Sequence, residues 1–265
     1  MNHETDTFQF TLTTAELGWL AGSMNIIALP LPASPHRNPN TPEWFTELEE
    51  GRDSLIKRGL IRRQPGMVWQ VDRLAMVMVT WMVEAHLTIQ IEALTPPEAA
   101  REAWIYVQRG QGLWVEAKAD GFELTFFKEN STLARWVNDF ADVTPPATAG
   151  DGGIITLLQP RHFLPLAWSD QEKAKSVLQH AGIKAKETAK VMNMIAKVNK
   201  AVFITHMKLK SGHWKVEYQM MIACGQSQAW GGSATAKSPD TWNLESLDSS
   251  KAKKLLHEAI KPVIS

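Results

Sequence analysis

Apolar residues at helical spacing dominate the first third of the chain, and proline-rich sequence interrupts them. Thr13 or Thr14 is predicted to cap a helix that has Leu17 and Leu20 on one face. The prolines of residues 29–42 end this segment, because each removes a backbone donor and disfavours helix just before it. The same periodicity predicts two further helices, at residues 43–58 and 72–85.

Alternating apolar residues predict strands in the middle of the chain. In "HLTIQIEAL", Leu87, Ile89 and Ile91 lie on one face, as a strand requires. Three more segments of this kind follow, separated by glycine-containing turns that favour hairpins: "AWIYVQ", "LWVEAK" and "FELTFF". An amphipathic segment at residues 131–141 predicts the helix that closes this block.

The same order of elements recurs after a segment rich in Pro and Gly. Ser169 and Glu172 form a predicted capping box for the first helix of this part, and Gly182 ends that helix. A second helix, a strand, a hairpin, a further strand and a closing helix follow. We interpret the repeated order as an internal duplication, with halves at 1–143 and 154–265 that share one sheet and a joint at 144–153.

Residues 53–72, "DSLIKRGLIRRQPGMVWQVD", have the outline of a winged DNA-binding unit. A helix ends at Gly59, and two arginines and a Pro-Gly turn precede a short strand. A nucleic-acid-binding regulator that uses segment 43–72 is therefore an alternative hypothesis. The helix of this segment carries acidic side chains that would repel phosphate, namely Glu47, Glu49, Glu50 and Asp53. We interpret Arg62 and Arg63 as the solvated rim of a turn.

Charge and cysteine content restrict the protein class. The chain has 28 basic and 28 acidic residues, so no net charge draws it toward nucleic acid or membrane. Cys224 is the only cysteine, which excludes an intramolecular disulfide and suits a reducing compartment. The N-terminus lacks the pattern of a secretory signal, and the longest apolar stretch is too short to cross a bilayer. The predicted location is the cytoplasm.

Positive and negative charge are nevertheless distributed unevenly along the chain. Lysines dominate residues 173–215, where Glu187 is the only acidic residue, whereas acidic residues dominate the first fifty positions. Such a basic tract can bind nucleic acid or an acidic partner, or form a solvated helical surface. The solvated surface is the simpler interpretation, since lysine suits solubility and base reading favours arginine.

No catalytic constellation is recognisable. Ser227 in "GQSQA" has half of a nucleophile elbow, but the second glycine and the required following helix are missing, so a hydrolase is a minor alternative. The glycines of residues 149–153 lack the order of a phosphate-binding loop. His206 and His213 can face each other across a hairpin, but a zinc site needs three or four ligands. The sequence therefore predicts no cofactor and no metal.

Aromatic residues are the remaining signal for binding. The chain has eleven tryptophans and two tyrosines. In "HWKVEYQ", alternation places Trp214, Val216 and Tyr218 on one face of a strand, with Lys215 and Glu217 on the other. Because tryptophan is a frequent anchor of protein interfaces, one or two exposed tryptophans would indicate a partner surface.

The assembled pattern resembles the EspG family, the cytosolic chaperones of type VII (ESX) secretion. The resemblance rests on "FTLTTAELGWLAG", the proline-rich break, "LIKRGLI" before a strand and helix, and the two halves of similar plan. It implies an α+β fold, in which a central, mostly antiparallel sheet is flanked by helical bundles in two pseudo-two-fold related halves. It also implies that sheet loops and the C-terminal helical part grip the tip of a helical PE–PPE substrate.

Candidate protein-binding residues follow from the same resemblance. By position, the hairpin from Arg109 to Gly112, which includes Gln111, corresponds to a binding loop, and Trp214 and Trp230 are candidates near it. The leading hypothesis is a non-enzymatic chaperone or adaptor that shields the apolar tip of a helical protein client.

Overall fold

A computed structural model describes residues 8–24, 26, 42–66, 68–96, 100–108, 111–128, 130–146, 154–210, 213–235 and 241–264. Eight helices occur in these ranges: α1 (Thr14–Ser23), α2 (Pro42–Lys57), α3 (Arg73–Glu84), α4 (Asn130–Ala141), α5 (Pro160–Ser169), α6 (Gln171–His180), α7 (Ala185–Ile195) and α8 (Ser249–Ile264). Twelve strands accompany them: β1 (Phe8–Leu12), β2 (Ile61–Arg63), β3 (Trp69–Val71), β4 (Leu87–Leu94), β5 (Arg101–Gln108), β6 (Gln111–Lys118), β7 (Gly121–Phe127), β8 (Ile154–Leu158), β9 (Lys200–Lys210), β10 (His213–Cys224), β11 (Ala229–Thr235) and β12 (Thr241–Ser246).

Ten strands belong to one sheet, in the order β1-β7-β6-β5-β4-β9-β10-β11-β12-β8, and β2 pairs with β3 separately. The pairs β1–β7, β5–β6, β6–β7, β9–β10, β10–β11, β11–β12 and β8–β12 are antiparallel. All eight residues of β4 are buried, as in a strand covered on both faces. The predicted α+β class with a mostly antiparallel sheet is confirmed.

The chain divides into two compact units. One comprises residues 1–88 and 103–129, and the other comprises residues 89–102 and 130–265. The first unit contains α1 to α3, strands β1 to β3, most of β5, and strands β6 and β7. The second contains α4 to α8 and β8 to β12.

In the first unit, a buried carboxylate joins α1 to α2. Thr13 and Glu16 form a capping box, since the Thr13 hydroxyl accepts from the Glu16 backbone nitrogen at 3.1 Å and Glu16 accepts from the Thr13 backbone nitrogen at 2.9 Å. Glu16 also accepts from the Ser54 hydroxyl at 2.7 Å and from the Arg58 guanidinium at 2.6 Å. The predicted end of α2 is confirmed, because Gly59 adopts a φ of +72° that favours glycine.

In the second unit, α5, α6 and α7 pack on one face of the sheet. The core residues of this face come from helices and strands alike: Leu157, Phe163, Leu164, Leu178, Val191, Ile195, Phe203, Met221, Trp230, Trp242 and Leu244. On the opposite face, the His206 imidazole of β9 hydrogen-bonds the Ala259 carbonyl oxygen of α8. Burial lowers the pKa of His206, so the ring is neutral at physiological pH and donates its Nε2 hydrogen to that carbonyl.

Several local predictions need correction. The predicted capping box of Ser169 and Glu172 is wrong, because Asp170 is the N-cap of α6 and accepts from the Lys173 backbone nitrogen at 2.9 Å. The Ser169 hydroxyl instead donates to carbonyls in the last turn of α5. Strands β1 and β8 and helix α5 were not predicted. Most of the Pro/Gly joint, residues 147–153, lies outside the described residues.

Candidate functional site

The second unit contains an open groove beside helix α5. It has a volume of 520 Å³ and is lined mainly by apolar atoms of the β4 end, the connection to β5 and one side of α5. Leu94, Pro96, Pro165 and Trp168 form its walls. A concave, mainly apolar site of this size suits the apolar side chains of a partner.

Hydrogen bonds hold the α5 wall of the groove. The half-buried Trp168 donates its indole hydrogen to the Val198 carbonyl oxygen at 3.2 Å, which fixes the ring. Ser169 donates to the Pro165 carbonyl oxygen at 3.0 Å and thereby closes the end of the helix. The exposed face of α5 therefore presents a rigid proline and a rigid aromatic ring, which lose little entropy when a partner binds.

The carboxylate that lines the groove already has a charged partner within the protein. Glu92, on β4, forms an ion pair with Arg161 of α5, and Arg161 also donates to the Gln90 side-chain oxygen at 3.4 Å. The Glu92 side chain is 11% exposed and the Arg161 side chain 34%. Because the carboxylate has a partner, the groove offers apolar contact with one compensated charge pair.

The candidate binding residues that the structure describes differ in their exposure to solvent. Arg109 lies outside the described residues, and Gln111 is exposed at the start of β6, paired with Gln108. Trp214 is half-buried near the tip of the β9–β10 hairpin. Trp230 is only 3% exposed and packs in the core of the second unit, so its ring offers no surface to a partner.

The predicted face of β10 is wrong for Tyr218. A β-bulge separates Val216, which pairs with Met207, from Tyr218, which pairs with His206. Met207 and His206 are consecutive in β9 and point to opposite faces, so Val216 and Tyr218 do too. Trp214 and Val216 remain together on one face, with Leu209 and Met207 directly across from them.

We call residues 207–210 and 213–217 the β9–β10 arm. Strand β11 pairs with β10 only from Tyr218 onward among the residues that the structure describes. Leu209 and Val216 of the arm are 41% and 39% exposed. Both Lys208 and Lys210 pair with Glu217, and these hydrogen bonds, led by that of Lys210, lower the pKa of the Glu217 carboxyl. The arm thus combines an apolar patch with lysine side chains.

The possible chemical sites have no supporting geometry. His206 lies opposite Tyr218 and His213 opposite Lys210, so the two histidines do not face each other. Within the described ranges, no group of three or more His, Cys, Asp and Glu side chains is arranged to hold a metal. Burial raises the pKa of Cys224 to about 11, which keeps the thiol protonated at neutral pH.

Ser227 lies in the turn between two strands. Strand β10 ends at Cys224 and β11 begins at Ala229, and the Gly225 backbone nitrogen donates to the Gln228 carbonyl oxygen at 2.8 Å within this turn. A nucleophile elbow places its serine between a strand and a helix. The surroundings of Ser227 are those of a hairpin turn.

The segment considered as a DNA-binding unit contains α2 and the small β2–β3 hairpin. Arg62 and Arg63 are exposed on this hairpin, as the interpretation of a solvated rim requires. Helix α2 directs Glu49, Glu50 and Asp53 to solvent. A helix with these exposed carboxylates would meet DNA phosphates with repulsion.

The groove was not predicted from the sequence. Its two walls are separated by more than sixty residues, and α5 was not predicted. A usable signal was present, since Pro160 suits the first turn of a helix and Phe163, Leu164 and Ala167 follow at helical spacing.

No family model and no curated protein matches the sequence. Among solved structures, the fold is similar to that of the Mycobacterium tuberculosis type VII secretion system chaperone EspG5, determined in complex with a PE25–PPE41 dimer. The TM-score is 0.58 at 12% identity, over 97% of this chain and 96% of that chain. The chain therefore has an α+β fold of the EspG type, as the sequence resemblance implied.

No helix in the described part of the chain is long and apolar enough to cross a membrane.

Proposed function

We propose that this protein is a non-enzymatic, cytoplasmic chaperone or adaptor that binds a helical protein substrate of type VII secretion. The observation that carries the proposal is the fold similarity to EspG5, which extends over nearly the whole of both chains. The solved EspG5 structure contains a PE25–PPE41 dimer, and an analogous helical client is the proposed partner here.

We place the client at the groove beside α5. The groove lies between a sheet loop and a helix of the C-terminal part, the two kinds of element that the family resemblance assigns to client binding. Trp168 and Pro165 supply fixed apolar surface for the tip of a helical hairpin, and the Glu92–Arg161 pair supplies a polar edge. Binding there would cover apolar residues that otherwise promote aggregation of the client.

The hairpin from Arg109 to Gly112 is retained as a second proposed contact with the client. Gln111 is exposed and therefore available to a partner. Trp230 is omitted because it is buried.

We also infer that the two halves, 1–143 and 154–265, arose by duplication. Within the described residues, each half contains one strand, three helices, four consecutive strands and one closing helix, and the first half additionally contains the β2–β3 hairpin. In each half the first strand pairs with the last one, as β1 does with β7 and β8 with β12.

Affinity purification of the tagged protein from its native cell extract tests the proposal. Wild-type protein is expected to retain one helical protein partner in stoichiometric amount. Pro165→Glu places a charge on the exposed groove wall without removing a core side chain, so the client should be retained at least tenfold less. Val177→Glu on α6 is the matched control, because Val177 is 44% exposed and lies outside the groove.

Two results would contradict the proposal. One is recovery of nucleic acid alone, with an affinity for mixed DNA that falls steeply with salt, as the alternative regulator requires. The other is equal recovery of the same partner by wild-type protein and Pro165→Glu.

A further inference from the structure

The groove beside α5 contains a buried carboxylate on the face of β4 that meets the helix. Alternation along the strand places Gln90, Glu92 and Leu94 on this face. Glu92 is 8% exposed, and among the described residues that line the groove it alone is charged. All of these residues belong to the second unit. The groove therefore offers one buried acidic group between walls that are mainly apolar.

The Glu92 carboxylate can still accept hydrogen bonds. Its Oε2 atom is buried and forms an ion pair with Nε of Arg161, but no hydrogen bond reaches that atom within the described part of the chain. Arg161 lies four residues before Pro165, so both are on the side of α5 that forms the groove wall. A partner in the groove can therefore donate hydrogen bonds to Glu92 through the Oε1 atom.

The ion pair restricts the charge of such a partner. An anionic group would meet the Glu92 carboxylate, and a cationic side chain would lie beside the Arg161 guanidinium, which is 34% exposed. Neutral donors are therefore favoured. The first turn of a helix presents several neutral N–H donors that point the same way and carry a partial positive charge, which a carboxylate stabilises.

The chain makes this contact at the start of its own helices. Asp72 accepts from the Leu74 backbone nitrogen at 2.8 Å at the start of α3, and Asp170 accepts from the Lys173 backbone nitrogen at 2.9 Å at the start of α6. In both helices the carboxylate satisfies a donor that has no acceptor within the helix. Glu92 offers the same chemistry to a second molecule.

We propose that Glu92 caps the N-terminal end of a client helix, whose first-turn backbone N–H groups donate to the carboxylate. Apolar side chains beside that helix end would pack against Leu94, Pro165 and Trp168, in the arrangement of a hydrophobic staple. This inference rests on the proposed function and names the part of the client that enters the groove. That part is the start of a helix, with apolar residues and without a charged side chain at the contact.

Isothermal titration calorimetry of the full chain with the client recovered by affinity purification tests the role of the carboxylate. Glu92→Gln replaces the carboxylate by a neutral amide, so the dissociation constant should rise about tenfold, or about 1.4 kcal/mol. Glu172→Gln on α6 is the matched control and should bind as the wild type does, because its side chain is 85% exposed and lies outside the groove. Equal dissociation constants for Glu92→Gln and the wild type would overturn the proposal.

The double variant Glu92→Gln/Arg161→Gln separates the lost acceptor from the unpaired arginine. It has no uncompensated charge at the groove, so its urea midpoint should stay close to that of the wild type. It should bind the client as weakly as Glu92→Gln does. Wild-type affinity in the double variant would show that the unpaired Arg161 weakens binding in the single variant, and would overturn the proposal.

Hydrogen–deuterium exchange of the client distinguishes a helix end from a charged side chain. First-turn amides lack intrahelical acceptors and exchange rapidly in the free client. In the complex with the wild-type protein, these amides of one client helix should exchange about tenfold more slowly, and a saturating concentration of Glu92→Gln should not protect them. A cationic client side chain bound to Glu92 would leave the amides unprotected in both complexes, which would overturn the proposal.

The same measurements separate this inference from the proposed function. Recovery of no client contradicts both. A client whose binding is weakened by Pro165→Glu but not by Glu92→Gln contradicts only the proposed cap and leaves the groove as the client site.

Discussion

Glu16 shows how one side chain can serve two helices. Its carboxylate is fully buried and accepts hydrogen bonds from Thr13, Ser54 and Arg58. The local part of this role was predictable, because a cap followed three residues later by Glu is a capping-box pattern. The contacts with Ser54 and Arg58, about forty residues away, depend on packing that no local pattern encodes.

Replacement of this carboxylate by an amide is expected to destabilise the protein. Glu16→Gln can keep the bond to the Thr13 backbone but leaves Arg58 without its charged partner, which should cost about 2 to 3 kcal/mol. Urea unfolding measures the change. Glu50→Gln on the exposed side of α2 is the control and should change stability by less than about 0.5 kcal/mol. Equal effects of the two substitutions would show that the network adds no stability.

His206 should make stability depend on pH. Burial is the main cause that lowers its pKa in the folded protein, assisted by Lys208 and opposed by the Ala259 hydrogen bond and Glu217. The contribution of the neutral His206 ring to the free energy of unfolding is fully present above the pKa of histidine in the unfolded chain, about 6.5. As the pH falls from that value to the lower folded pKa, the unfolded state binds a proton that the folded state does not, so stability is lost at up to about 1.4 kcal/mol per pH unit.

Urea unfolding at pH 7.5 and 5.5 tests this dependence. His206→Gln cannot titrate but can still donate to the Ala259 carbonyl, so its stability should fall less than that of the wild type over this interval. Other histidines contribute equally to both proteins and cancel in the comparison. If the two proteins lost the same stability between pH 7.5 and 5.5, His206 would not contribute to the pH dependence.

At the scale of elements, local pattern located most helices and strands but not all their details. The two predicted helix caps illustrate the limit: Thr13, one of the two residues predicted for the first cap, is the N-cap of α1, whereas at Ser169 the next residue, Asp170, supplies the cap of α6 with its carboxylate. The bulge in β10 reversed the predicted face of Tyr218, because one extra residue moves every later side chain to the other face. Edge strands β1 and β8 are defined by pairing with strands far along the chain.

The contact of α1 with α2 requires a glycine. A Cβ atom at Gly51 would lie 2.2 Å from the Ala15 carbonyl oxygen, so Gly51→Ala must separate the two helices. We expect a loss of about 1 to 3 kcal/mol in the free energy of unfolding. Gly22→Ala in α1 is the matched control, since nothing lies within 4 Å of the added atom, and it should stabilise by up to about 1 kcal/mol. Thermal unfolding that showed both variants equally stable would contradict this packing.

At the scale of the whole molecule, the sequence allowed the α+β class to be predicted, because each element carries its own periodicity. The groove could not be predicted. Its walls, at Leu94 to Pro96 with Ala100 and at Pro165 to Ser169, come together only in the folded second unit, and one of them is α5, which the sequence pattern did not predict. The exposure of each tryptophan could not be predicted either, because alternation does not show which face of a strand is covered.

Hydrogen–deuterium exchange of the purified client complex, compared with the free protein, shows whether the client binds at the groove beside α5. Client binding at the groove predicts slower exchange in the peptides that contain residues 94–96 and 165–169, with little change along α2. The Pro165→Glu protein, mixed with the same client, should show no such protection. Undiminished exchange at both groove walls in a stoichiometric complex would contradict client binding at the groove.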